Sequence, residues 1–346
     1  GFAYPNEQIL AAISEPRALR YEPDPRGLLS AREVLGRRLG GIDPSRIVLS
    51  ASTSEAYSWL FKLLADEGDE VLVAAPSYPL FDFLAKLESV RLRRYPLHYD
   101  GSWRVDMDAL ARAAGARTRA IVVVHPNNPT GSFLDDEEIE ALRALAAERF
   151  LAIVSDEVFA DYRFDDASRP LTLAGESGAL TFSLGGLSKA AGLPQMKLAW
   201  IVASGPAALR DEALARLEII GDTFLSVGTP VQAGLEGLLS AGDAVRVEIL
   251  ARLRANRAAL FEAAGRGAAW ECLHADGGWY AVLRVPRVRS DEEWALDLLG
   301  KDGVLVHPGA LFDFAGEGYL VVSLLPEPVS FREGIARLRG RIAEGA

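Results

Sequence analysis

The sequence predicts an α/β fold: a larger unit with a mostly parallel seven-stranded sheet flanked by helices, and a smaller α+β unit. Three observations carry that prediction. At 346 residues the chain is long for a single core, and about 100–200 residues per domain suggests two. From about residue 42 to 205, short β-branched apolar runs alternate with helical patterns, the signature of a parallel sheet with crossover helices. Beyond residue 205 the pattern changes to long Ala/Leu/Arg-rich helical stretches followed by a few strands. The larger unit is placed at 30–220, and the smaller at 221–346 together with the N-terminal segment 1–29.

In chain order, the sequence opens at Gly1 without a methionine, a start compatible with a missing N-terminal piece, and soon enters the turn-rich stretch from Tyr21 to Gly27. Candidate strands follow at 47–49, 71–74, 91–94, 120–124, 151–154, 180–183 and 199–202. They are short and apolar, as strands covered on both faces should be. Between the fourth and fifth, Asp135 with Glu138 three residues later makes a capping-box-like helix start, and Ile139, Leu142 and Leu145 then share a face for packing on the sheet. In the smaller unit, strands are expected at 279–285, 304–306 and 319–324, with a closing helix after Pro328.

Composition narrows the function classes. A hydrophobic fraction of 49% with 25% charged residues fits a soluble globular protein, and no apolar run approaches the ~18 residues a membrane span needs. No membrane anchor or secretory signal is visible. The net charge of -11 argues against nucleic-acid binding, which depends on Lys and Arg neutralising phosphates, and leaves small molecules or proteins as partners. One cysteine, Cys272, excludes an intrachain disulfide, and the four histidines, His98, His125, His274 and His307, lack ligand spacing. A reducing cytoplasm and a metal-free site are the expectation, with Cys272 a buried structural thiol.

In open parallel sheets, ligands bind outside the carboxyl ends of the strands, so the loops leaving each strand are where chemistry is sought. After 47–49 come Ser52, Thr53 and Ser54 opening a helix, whose free N–H groups and dipole suit an anion; the same residues also read as a plain serine N-cap. Strand 120–124 runs into His125-Pro-Asn-Asn-Pro-Thr-Gly131, a tight reversal that also sets two amide side chains at a strand exit. Strand 151–154 ends in Ser155-Asp156-Glu157, where a carboxylate either caps a turn or faces a buried cation that holds it ionised. Strand 180–183 leads through Gly185 and Gly186, which let the backbone bend, to Ser188 and Lys189, placed to lean back over the strand ends.

Taken together and in order, Asn128-Pro-Thr-Gly131, Ser155-Asp-Glu157 and Ser188-Lys189-x-x-Gly192-Leu-Pro194 resemble the fold-type-I pyridoxal-phosphate (PLP) enzymes, specifically the class I/II aminotransferases, over nearly the whole chain. The resemblance implies a transaminase that moves an amino group from an amino donor to a 2-oxo acid by a ping-pong mechanism. Lys189 would hold PLP as a Schiff base and move a proton between the substrate and cofactor carbons, its pKa lowered by burial near cationic groups. Asp156 would pair with the pyridinium nitrogen, Asn128 donate to the phenolate oxygen and Tyr78 stack on the ring. Ser52, Thr53, Ser188 and Lys197 would hold the phosphate, completed by Tyr21 from the partner subunit of a homodimer. The same lysine and aspartate also serve other PLP chemistry, such as a C–S lyase or a synthase.

The chain departs from the family pattern at three positions. Phe159 stands where many relatives carry a tyrosine, which removes a donor to the phenolate oxygen and raises the pKa expected of the Schiff base. Lys197 replaces an arginine, a point charge in place of a bidentate fork. Val321 stands where an arginine usually binds the substrate's α-carboxylate, so either another cation, such as Arg284 or one from a missing N-terminal piece, serves, or the substrate is not an ordinary α-amino acid.

Overall fold

A computed structural model describes residues 1–165, 172–175, 178–265 and 267–345. The seven expected strands form, as β1 (Ile47–Ser50), β2 (Glu70–Ala75), β3 (Arg91–Tyr99), β5 (Thr118–Val124), β6 (Ala152–Asp156), β7 (Thr181–Gly186) and β8 (Ala199–Ser204). An eighth, β4 (Trp103–Val105), folds back on β3 as an antiparallel edge. The order is β1-β8-β7-β6-β5-β2-β3-β4. β7, β6, β5, β2 and β3 pair in parallel, and β8 runs antiparallel to both of its neighbours. The carboxyl ends of β1, β2, β3, β5, β6 and β7 therefore share one edge.

Alternation along these strands builds three layers. Val122 and Val124 of β5 face a core with Tyr57, Trp59, Leu60 and Phe61 of the helix Thr53–Leu64, while Ile121 and Val123 face Leu110, Ile139 and Leu142 on the other side. The expected capping box is present: Asp135 and Glu138 exchange side-chain and backbone bonds at the start of the helix Asp136–Arg149. Ile139 and Leu142 are buried and Leu145 packs beside them.

The sequence led to the expectation that Gly185 and Gly186 bend the chain; instead they extend β7. Their service is space: a Cβ on Gly185 would lie 2.5 Å from the Trp200 indole, and one on Gly186 would crowd Ala199.

A second, antiparallel sheet has the order β11 (His307–Pro308), β12 (Tyr319–Ser323), β10 (Tyr280–Arg284), β9 (Glu271–Cys272). The strand expected at 304–306 forms instead at His307, because pairing with β12 begins where His307 meets Val321. The closing helix is Pro328–Gly345. The 29-residue helix Leu235–Ala263 ties the two parts together: Leu235, Leu238 and Leu239 enter the core under β1 and β8, and Val245, Ile249, Leu253 and Leu260 enter the core beneath the smaller sheet. Cys272 is buried there, its thiol pushed up to about 12 by desolvation, an inert packing residue. Among the described residues, no helix is long and apolar enough to cross a membrane, and no His/Cys/Asp/Glu group could hold a metal ion.

Candidate active site

The shared edge of β1, β2, β5, β6 and β7 opens into a cleft of about 1100 Å³. Ser52, Thr53, Tyr78, Asn128, Asp156, Ser188 and Lys189, all expected site residues, line it. Two others do not: Tyr21 is 87% exposed, and Lys197 is exposed two residues before Ala199, which is in the wall. From the smaller sheet come Trp279, Tyr280 and Leu325, which sequence reasoning missed as site residues.

At the β1 end, Ser52 is extended and its Oγ accepts from the Glu55 N–H at 3.1 Å, so the plain N-cap reading holds for that hydroxyl. The same helix start, whose first-turn N–H groups lack intrahelical acceptors, forms part of the cleft wall together with Thr53, Ser54 and Ser188. An anion fits this end.

Asp156, the last residue of β6, lies at the opposite chemical pole. Its carboxylate is buried and accepts from the Val158 N–H at 3.2 Å and from the Tyr57 hydroxyl at 2.9 Å. Desolvation outweighs these bonds and the Lys189 charge, raising its pKa to about 6. Glu157 beside it is structural: it accepts from Ser155, Thr172, Ser183 and the Leu173 N–H. Asn128 is buried, and its Oδ1, an acceptor, has no protein partner.

Lys189 occupies the third turn-residue of the short helix Leu187–Ala190. Its Nζ lies 4.7 Å from the Trp279 ring centroid and 5.7 Å from that of Phe159. Tyr162 fixes this arrangement, donating to the Lys189 carbonyl at 2.6 Å and packing edge-on against Trp279. The amine's pKa is lowered, by burial alone; the neighbouring charge is the Asp156 carboxylate, which opposes the shift, and the expected cationic neighbours are not the cause. Among the described residues lining the cleft, Lys189 is the only cation.

The substrate side departs from the pattern in the way the sequence indicated. Val321 is buried against Trp103, Val282, Phe312 and Phe314 and does not line the cleft. Arg284 is not its replacement: it sits at the far end of β10 from Tyr280, with its guanidinium paired to Glu271.

An anion cradle, a buried carboxylate and, between them, an amine whose pKa burial lowers fit PLP, with a phosphate at one end, a basic ring nitrogen at the other and an electrophilic carbon between. Comparisons with known proteins agree. Residues 5–330 match the family model described as aminotransferase class I and II. The chain is 26% identical to the glutamate-pyruvate aminotransferase AlaA of Haemophilus influenzae, over 98% of this chain and 86% of that protein. It is likewise 26% identical to the alanine aminotransferase of Mycobacterium tuberculosis H37Rv, over 98% and 82%. Among solved structures, the alanine aminotransferase from Pyrococcus furiosus superposes with a TM-score of 0.87 at 26% identity, covering 98% of this chain and 87% of that one.

Proposed function

This chain belongs to the class I and II aminotransferases and is a PLP-dependent aminotransferase, and from that premise we propose how its residues divide the work. Lys189 is the residue that binds the cofactor covalently through Nζ and moves the proton between the substrate carbon and the cofactor carbon. Its burial between Trp279 and Phe159 supports this, because a desolvated amine is a better nucleophile and base at neutral pH. Asp156 holds a proton on the ring nitrogen, and Asn128 donates to the phenolate oxygen. Tyr78, half-buried beside Phe81, stacks on the ring. Bound there, PLP supplies a carbon that accepts the amino group and a ring that withdraws electrons from the substrate carbon. Ser52, Thr53 and Ser188 hold the phosphate, Lys197 approaches from the rim, and the exposed Tyr21 serves the cleft of a second copy in a homodimer.

The observation that carries this reading is the juxtaposition of Lys189 and Asp156 in one aromatic-walled cleft. The similar proteins' names favour transamination over β-elimination. Cytoplasmic operation fits the single, buried thiol. Glutamate and pyruvate, named for the Haemophilus relative, are the first donor and acceptor to try. With no arginine in the cleft wall, their KM is expected well above that of amines or oxo compounds with aromatic or aliphatic groups to set against Trp279, Tyr280 and Leu325. A donor screen that follows conversion of bound PLP to pyridoxamine phosphate tests this: release of ammonia and an oxo acid without conversion would favour a lyase, and tight saturation by glutamate would show that a cation reaches the carboxylate from outside the described wall.

A further inference from the structure

Tyr57 has no part in the motifs that point to the site, and it is almost fully buried in the core above the sheet. It lies one helical turn beyond Thr53, so the face of the helix Thr53–Leu64 that presents Thr53 to the cleft presents Tyr57 below it. Phe61 and Phe81 pin its ring, at centroid distances of 6.0 Å and 5.3 Å, the second edge-on. Its hydroxyl donates to Asp156 Oδ2 at 2.9 Å, while Oδ1 accepts from the Val158 N–H. The other titratable groups that act on this carboxylate or respond to it are Lys189 and Tyr78, both in the cleft wall.

We infer that Tyr57 is a positioning residue for the transamination: its hydroxyl orients the Asp156 carboxylate and keeps it charged, so that Asp156 can hold the proton of the cofactor ring. The inference rests on the reading that Asp156 faces that ring. A buried carboxylate with one weak backbone donor would shed its charge, and a donor held by packing stabilises the ionised form without any cost of reorganisation. Burial and the adjacent carboxylate raise the phenol's own pKa well above its usual value, so Tyr57 remains a donor throughout the working range. One helix thereby serves both poles of the cleft, with hydroxyls at its first turn for an anion and a phenol at its second for the carboxylate.

The test compares the full chain with Tyr57→Phe, Asp156→Asn and the double variant. Phenylalanine keeps the ring in its aromatic slot and removes only the donor. In the cofactor-free chain, the Asp156 carboxyl, followed by carbon-13 NMR, should titrate at higher pH in Tyr57→Phe than in the wild type. The dissociation constant of PLP at pH 7 should rise about tenfold in Tyr57→Phe, the scale of a hydrogen bond to a charged group, and Tyr57→Phe should add nothing in the Asp156→Asn background. An unmoved Asp156 titration overturns the inference. So does an equal loss of affinity in both backgrounds, which would make Tyr57 a packing residue. If Asp156→Asn alone leaves PLP affinity intact, it is the reading of Asp156 that fails, and the titration still decides whether Tyr57 governs the carboxylate.

Discussion

At the scale of single residues, burial sets the chemistry of Asp156. Its carboxyl titrates near 6 in the fold, against 3.8 for an ordinary aspartate, because desolvation exceeds the help from Tyr57, Val158 and Lys189. A carboxyl with a raised folded pKa binds its proton more readily folded than unfolded, so its contribution to stability is fullest below about pH 4 and is lost as pH rises through about 6. The loss amounts to roughly 3 kcal/mol across that window. Asp156→Asn should therefore flatten the pH dependence of urea unfolding of the cofactor-free chain between pH 4 and 7 by about that amount; parallel curves for wild type and variant would show that the group is not desolvated. That Lys189, Asp156 and Asn128 meet at one cleft was legible in the sequence because each belongs to a short motif at a strand exit. Tyr57 was not, since a tyrosine on the inner face of an amphipathic helix reads as core, and core is also what it is. Trp279 looked like the first residue of a strand, and nothing local says that this strand end abuts Lys189.

At the scale of elements, short strand-like runs alternating with helical patterns revealed seven strands of the larger sheet, whereas β4 is only three residues long and exists because it folds back on β3. The glycines of β7 were misread as a bend because sequence records the lack of a side chain but not the neighbour that needs the room. Gly185→Ala should destabilise the chain by about 1–3 kcal/mol, since the Trp200 indole on the adjacent strand blocks the new methyl. Gly300→Ala, in an open position of the helix Asp291–Asp302, should instead stabilise by about 0.5–1 kcal/mol through helix propensity. Equal and small effects of both substitutions on urea midpoints would remove the packing argument for β7.

At the scale of the whole molecule, the parallel sheet gathers six strand exits on one edge, which is why motifs scattered from Ser52 to Lys189 meet at one cleft. The wall from the smaller sheet stayed hidden because it depends on contacts across the fold: the 276–278 loop docks on Gly131 and Tyr162 through backbone bonds that leave no local pattern. Tyr21, which the proposed function assigns to the cleft of a second copy, is exposed. Sedimentation should give twice the chain mass, and Tyr21→Ala should weaken PLP binding without changing that mass; a monomer with wild-type affinity would contradict the proposal of a site shared between two copies. The chain has five lysines, and of these Lys62 and Lys301 are paired with Glu88 and Asp297 while Lys189 alone lines the cleft. The most direct measurement is borohydride reduction of the PLP-loaded enzyme followed by peptide mass mapping. The phosphopyridoxyl group is expected on Lys189 alone and absent from Lys189→Ala; its appearance on Lys197 or any other lysine, or on none, would contradict the account.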